Sequence, residues 1–347
     1  MGYSLNTDLA DVVLNRMKED YRIFAPRRFP KQGRYSDTDI IRYAEVERFA
    51  DIVWDQKSDY PAKEVITPIQ QSIFYFTEEE YRASKTPEKP ILILARPCDI
   101  NAQKIQARIY AGNGGFDDFY YTRMRRLVKF AMMECGGGDD TCFCVSMGTN
   151  RTDDYSLAIR FTDDGMTAGV NDESFEPYFS GMPTQEYTPA FVEENQLKVT
   201  VPDLSDDQVR LALKKHPMWK EFDSRCISCG SCTVACSTCT CFTTRDIQYG
   251  DNPEVGERRR VSASCQIEGF DRMAGQRELR SAPGDRMRYK VLHKFHDYKA
   301  RFKESHMCVG CGRCTHRCPE FISISATVNK MNAAVEEIKA SMQQKGE

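Results

Sequence analysis

Two runs of cysteine carry the chemistry open to this chain. The first is Cys226-x-x-Cys229-x-x-Cys232-x-x-x-Cys236; the second is Cys308-x-x-Cys311-x-x-Cys314-x-x-x-Cys318, with Pro319 directly behind it. This is the ligand spacing of bacterial-type 4Fe–4S sites. A cubane takes four thiolates around a compact body. Cysteines at x-x intervals let one short loop reach three iron corners, and the fourth ligand comes from elsewhere in the chain. In two-cluster ferredoxins the last cysteine of each run ligates the other cluster. Crossing the runs assigns Cys226, Cys229, Cys232 and Cys318 to one 4Fe–4S cluster, and Cys308, Cys311, Cys314 and Cys236 to a second. Gly230, Gly310 and Gly312 let the backbone come close to the inorganic sulfides and supply N–H donors. Zinc is the competing ion, since Cys-x-x-Cys is also a zinc spacing. A third cysteine at the next x-x interval, with Cys-Pro behind it, favours iron. The expected task is electron transfer, and the rival of another class is a zinc-stabilised scaffold.

Four cysteines precede the runs: Cys98, Cys135, Cys142 and Cys144. Four is the number a third cubane needs, and Gly136-Gly137-Gly138 gives a pliable loop beside Cys135. The competing reading is a set of buried thiols. Cys239, Cys241 and Cys265 lie closer to the first run and are read as packing or neighbouring groups, because the two ferredoxin sites are already complete.

The elements that must position these groups fall into two parts. Leu5, Leu9, Val12, Val13 and Met17 recur at helical spacing, and Ser36-Asp37-Thr38-Asp39 reads as a helix start before Ile40–Ala50. Ile91–Ala95 reads as a buried strand running into Arg96-Pro97-Cys98-Asp99, where Asp99 could cap the next helix. Tyr155–Phe161 and Met166–Val170 flank Asp163-Asp164-Gly165, a hairpin signal. After Pro202 strand-like runs nearly vanish, and Leu204–Lys215 and Ile322–Gln343 read as helices. The expected architecture is an α+β domain of α/β type over residues 1–205, followed by an all-α domain, an α-helical dicluster ferredoxin, over residues 206–347.

Composition narrows the setting. At 347 residues the chain can bury two cores. Fifteen cysteines, with no apolar run long enough for a membrane and a mixed, acidic Met1–Tyr21, point to a cytoplasmic, reducing compartment and metal ligation rather than disulfides. Between Arg258 and Lys303 thirteen Lys or Arg stand against five Asp or Glu, in a chain whose net charge is −3. Cations near an anionic cluster raise its potential. The same stretch could dock an acidic partner or form a solvated helical face. No nucleic-acid module accompanies it, and no nucleic-acid or membrane partner is expected.

No GxGxxG follows a strand and no phosphate-binding Gly-rich loop is present, so the chain gives no sign of binding a nucleotide itself. The five histidines form no metal-ligand pattern; His306 and His316 sit beside Cys308 and Cys318, where they would tune or shield a cluster or simply face solvent. No catalytic residue is expected. A sirohaem-type reductase uses C-x5-C and a separate C-x3-C; here both patterns would share Cys232, and one thiol cannot occupy two corners.

The cysteine runs, Arg258-Arg259-Arg260 with Ser264-Cys265-Gln266, and Arg288–Phe295 resemble one family, as do Arg96-Pro97-Cys98-Asp99 and Thr141–Gly148. The chain resembles the β-subunit family of soluble sulfhydrogenases over nearly its whole length, and within it the members that serve sulfite reduction. That family often has Pro after the fourth cysteine of the first run, where this chain has Ser237. The resemblance implies a non-catalytic electron-transfer subunit in a hetero-oligomeric oxidoreductase of anaerobic growth. Electrons would come from a flavin/2Fe–2S subunit that oxidises NADH and pass to a sirohaem subunit that reduces sulfite to sulfide. The alternative under the same resemblance is an electron-transfer subunit of a soluble hydrogenase.

Iron analysis of anaerobically prepared protein separates the cluster counts. At four irons per cubane, about eight irons per chain are expected for the two runs alone and about twelve if the N-terminal four hold a third. A loaded preparation near eight, unchanged by Cys98→Ala, would remove the third cluster.

Overall fold

A computed structural model describes residues 2–346. The strands, in chain order, are β1 (Gly2–Asn6), β2 (Arg22–Phe29), β3 (Ile40–Glu45), β4 (Gln70–Phe76), β5 (Tyr81–Ala83), β6 (Ile91–Ala95), β7 (Val128–Met133), β8 (Leu157–Thr162), β9 (Gly165–Val170), β10 (Thr184–Gln185), β11 (Phe242–Gln248) and β12 (Gly256–Ser262). The chain divides into two compact units. One comprises Met1–Gly138, Thr149–Glu193 and Phe242–Ser262; the other comprises Asp139–Gly148, Glu194–Cys241 and Ala263–Glu347. A single cut near residue 205 does not describe this division. Segment Asp139–Gly148 belongs with the helical unit, and the hairpin of β11 and β12 belongs with the sheet unit, because each finds its hydrogen-bond partners there.

In the sheet unit eight strands run in the order β10-β1-β9-β8-β7-β6-β2-β3. Strands β2, β6, β7 and β8 are parallel, and the flanking pairs are antiparallel. Strand β6 is an unbroken apolar run, as a strand covered on both faces must be. Its alternate residues enter different cores: Leu92 and Leu94 join Val13, Met17 and Phe175, while Ile91, Ile93 and Ala95 join Tyr110, Tyr121 and Phe130. Helix Thr7–Asp20, capped by the Asn6 side chain on Leu9 N–H, buries Ala10, Val13, Leu14 and Met17. Helix Pro97–Tyr110 makes the crossover from β6 to β7; Arg96 is its N-cap, so Asp99 lies within the first turn rather than capping it. The expected hairpin around Asp163-Asp164-Gly165 forms as β8 and β9.

The expected helix over Ile40–Ala50 does not form. Thr38 instead closes a turn on Tyr35, and Ile40–Glu45 pairs antiparallel with β2. Its β-branched and aromatic residues suit a pleated surface, which outweighs the helix-start signal before them. A second sheet, ordered β11-β12-β4-β5, takes up part of the basic stretch. Arg258 pairs with Asp246, Arg259 with Glu257, and Arg260 with Asp118, so these three cations are neutralised within the unit.

Among the described residues the second unit carries helices and no strand. Asp206 caps helix Asp207–Lys215 through Gln208 and Val209 N–H. Val209 and Leu213, one turn apart on this helix, pack with Trp219 and Phe222 against Val328, Met331 and Val335 of helix Ile324–Gly346. The Trp219 indole N–H donates to Leu213 O at 2.8 Å, so the ring is buried without an orphan donor. No helix among the described residues is long and apolar enough to cross a membrane.

Arg260 is largely enclosed, stacks near the Phe242 ring and pairs with Asp118, which also caps helix Phe119–Arg125. Arg260→Ala strands that carboxylate. Its expected cost is about 2–4 kcal/mol in denaturant unfolding, with iron content unchanged.

Candidate metal centre

The two cysteine runs fold alike. In each, the residue before the second cysteine and the residue after it take left-handed backbone conformations: φ is 57° at Ser228 and 78° at Gly230, and 65° at Gly310 and 70° at Gly312. Each run then enters a one-turn helix, Ser231–Val234 or Arg313–His316. Glycine is required in the second run. A Cβ on Gly310 would stand 2.5 Å from Phe143 O, and one on Gly312 would stand 2.3 Å from Thr141 O. This close approach lets Phe143 N–H donate to Gly310 O at 2.8 Å and ties Asp139–Gly148 to the loop. Gly310 N–H in turn points at Cys308 Sγ, 3.4 Å away. In the first run the position equivalent to Gly310 is Ser228, left-handed without being glycine; Arg286 Nη2 donates to its hydroxyl at 2.9 Å and holds the turn.

Cys226, Cys229, Cys232 and Cys318 line one cavity, with Lys290 and Cys314 also on its wall. Burial pushes the Cys226 thiol up, and the neighbouring Cys232, Cys318 and Cys229 sulfurs add to the shift. Burial likewise raises Cys308, with Cys314 and Cys236 contributing, and pushes Cys314 up to about 12. Cys236 and Cys311 are among the sulfurs that act on Cys314. Cys318 thus lines the cavity of the first run, and Cys236 acts on Cys308 and Cys314 of the second, while Cys314 also faces Cys232 and that cavity.

Two lysines lie among these sulfurs. Helix Pro283–Leu292 leads into a widened π-helical stretch, His293–Asp297, and carries Lys290 and Lys294, which are 3 % and 4 % exposed. Burial alone would lower both ammonium groups. The Cys232, Cys314 and Cys239 sulfurs instead raise Lys290, and the Cys236, Cys239 and Cys308 sulfurs raise Lys294. Lys294 Nζ also donates to Thr238 Oγ1 at 3.1 Å, and Thr238 bonds Cys236 Sγ at 3.4 Å. An ammonium out of water costs several kcal/mol unless an anion faces it. Arg286 and Arg313 are buried as well, at 3 % and 1 % exposure.

Ser237 has a specific place in this arrangement. Its hydroxyl lies 3.6 Å from Cys311 Sγ and accepts from Arg313 Nη1 at 3.1 Å. A proline here would remove the hydroxyl that joins the guanidinium to the sulfur.

The N-terminal cysteines are divided between the two units. Cys98 lies in the first turn of helix Pro97–Tyr110, and Cys135 follows β7 with its sulfur 3.5 Å from Arg96 Nη1. Cys142 Sγ is 3.6 Å from Cys311 O, and Cys144 Sγ is 3.5 Å from Asn195 Oδ1, both within the helical unit. His306 packs its ring near Phe295, and burial lowers its pKa.

Among the described residues no three His, Cys, Asp or Glu side chains gather as one metal ion requires. Zinc draws its thiolates to about 2.3 Å from a single centre, whereas a cubane sets one at each iron corner. The donor set fits a 4Fe–4S cluster. It offers thiolates only, backbone and hydroxyl donors to sulfur, and buried cations facing an anionic group. Sequence reasoning assigned the basic stretch a local role but did not single out Lys290 and Lys294. Their four-residue spacing beside Val291, Leu292 and Phe295, all buried, is the signal that marks an inward-facing pair.

Comparison with known proteins agrees with this chemistry. A family model described as a 4Fe-4S dicluster domain matches residues 225–322. Over 334 residues the chain is 26% identical to the sulfhydrogenase 2 subunit beta of Pyrococcus furiosus, covering 91% of this chain and 93% of that protein. No solved structure matches significantly. The chain carries a 4Fe–4S dicluster domain and is similar to a sulfhydrogenase β subunit.

Two measurements probe the centre. Cys318→Ser is expected to abolish the EPR signal of the cluster on Cys226, Cys229 and Cys232, and Cys236→Ser that of the cluster on Cys308, Cys311 and Cys314; loss of each variant's own-run cluster would contradict crossed ligation. Lys294→Met removes a charge beside Cys236 and Cys308. Redox titration should show one potential falling by on the order of 100 mV, as a buried unit charge at an effective dielectric near 20 requires.

Proposed function

We propose that this chain is the electron relay of a soluble hetero-oligomeric oxidoreductase of the sulfhydrogenase class. Cys226, Cys229, Cys232 and Cys318 would hold one 4Fe–4S cluster, and Cys308, Cys311, Cys314 and Cys236 another. The observation that carries the reading is the pair of buried lysines, Lys290 and Lys294, set among the sulfurs of both runs. A bound cubane supplies one-electron transfer. The chain's own residues do the rest. Thiolates bind, Gly310 N–H and the Ser237 and Thr238 hydroxyls orient and polarise the sulfurs, and the lysines offset negative charge. The similarity to a sulfhydrogenase β subunit supports this assembly over a zinc-stabilised scaffold. A third cubane on Cys98, Cys135, Cys142 and Cys144 would extend the relay.

A second reading keeps the relay and changes its ends. Within the family that the cysteine runs, Arg258–Arg260, Arg288–Phe295, Arg96–Asp99 and Thr141–Gly148 resemble, the chain is most similar over nearly its whole length to the iron–sulfur relay component of anaerobic sulfite reductase. In that setting electrons pass from a flavin/2Fe–2S subunit fed by NADH to a sirohaem subunit that makes sulfide. The relative's name favours the sulfhydrogenase setting. Partners that copurify under anaerobic conditions discriminate, with nickel marking the first reading and sirohaem absorbance the second.

Both readings expect the isolated chain to accept electrons from dithionite and to neither evolve hydrogen nor reduce sulfite. Sulfide or hydrogen production by the purified single chain would contradict a pure relay.

A further inference from the structure

Besides Cys142 and Cys144, three cysteines of the helical unit take no part in the two proposed ligand sets: Cys239, Cys241 and Cys265. Cys239 faces the buried ammonium groups of Lys290 and Lys294. Cys241 and Cys265 instead face each other, their side chains hydrogen-bonded. We infer that Cys241 and Cys265 form a reversible dithiol–disulfide centre, which stores an electron pair beside the one-electron clusters. The inference rests on the proposed two-cluster relay for the destination of its electrons, while the pairing of the thiols rests on the backbone register that brings Cys241 beside residues 263–265.

The backbone holds the two sulfurs together. Ala263 N–H donates to Cys241 O at 3.0 Å, so the strands leading to Cys241 and Cys265 stay in register beyond the β11–β12 hairpin. Ser264 Oγ accepts from Gln266 N–H at 3.1 Å and donates to Thr233 Oγ1 at 2.9 Å, which fixes residues 264–266 on helix Ser231–Val234. Gln266, 1 % exposed, points its amide at Cys265 Sγ from 3.5 Å and anchors the same nitrogen on Arg286 O at 2.9 Å.

The surroundings favour the reactive form. The hydrogen bond from Cys241 holds the Cys265 thiol below its usual range, with Gln266, Lys290 and Lys294 adding to the effect against burial. The same bond raises Cys241. These opposite shifts make Cys265 the sulfur that ionises first and Cys241 the thiol that donates to it, and the thiolate is the redox-active form of cysteine.

Oxidation forms one Sγ–Sγ bond and breaks the S–H bond of Cys241. Its proton passes to water at the half-buried Cys241. Two electrons leave, one to each of two oxidised iron–sulfur acceptors, and the reverse step takes them back. The Lys290 ammonium bonds Cys232 of the first run and acts electrostatically on the Cys265 sulfur, which links the dithiol to the first ligand set.

The test uses the anaerobic, cluster-loaded chain. Samples poised oxidised and reduced are denatured, alkylated and mapped by mass spectrometry, in parallel with a reductive titration counted against EPR spins. The expected result is a Cys241–Cys265 linked peptide, lighter by two hydrogens, in the oxidised sample and full alkylation of both cysteines in the reduced one. The titration should consume two electrons more than the clusters account for. Cys241→Ala and Cys265→Ala, each alone, should lose those two electrons and keep all iron. Both cysteines alkylated in the oxidised protein would overturn the proposal, as would iron loss in either variant, which would make that cysteine a ligand. Where one variant does not fold, the other and the wild-type peptide map decide. Peptide mapping in glutathione buffers reads the disulfide whether or not cluster signals appear, so failure of the relay reading is seen separately.

Discussion

The helical unit depends on charge compensation without water. Lys290 and Lys294 are buried on one turn of helix and face cysteine sulfurs from both runs. Neither half of this arrangement is stable alone. Two ammonium groups without facing anions would pay the full cost of desolvation, and a cage of thiolates without cations would repel itself. The π-helical turn at His293–Asp297 is the backbone device at this point, and such turns recur at functional sites. Arg286 and Arg313 extend the scheme, one steadying the strained Ser228 and the other holding Ser237 against Cys311.

The near-duplicate geometry of the two runs follows from the same need. Both loops place a left-handed residue on each side of the second cysteine. Where the second run uses Gly310 and is covered by Phe143 and Thr141, the first uses Ser228 and a guanidinium tether. One architecture is thus reached by two local solutions. The first loop also exposes Ile227 and Cys229, whereas the second buries Cys311.

What could be read from the sequence was short-range. The cysteine spacings, the apolar run of β6, the hairpin at Gly165 and the terminal helix all rest on residues within a turn or two of one another. What could not be read was set by distant partners. Ile40–Glu45 became a strand because β2 offers it an antiparallel edge, although Ser36–Asp39 looks like a helix cap. Phe242–Gln248 and Gly256–Ser262 left the helical unit because β4 supplies their ladder. Asp139–Gly148 joined it because only glycines at 310 and 312 allow that approach. The positive charge of the stretch after Arg258 was plain, but its partition was not. Arg258, Arg259 and Arg260 meet carboxylates on a sheet, and Lys290 and Lys294 meet thiolates in a core.

The central claim is that the buried lysines compensate two anionic cubanes in one helical unit. Quantitative EPR of the fully reduced anaerobic chain addresses it most directly. Two S = 1/2 centres per chain are expected, with spectra broadened by their mutual interaction. A single isolated spin, or a colourless, EPR-silent protein that carries zinc on the same cysteines, would contradict it.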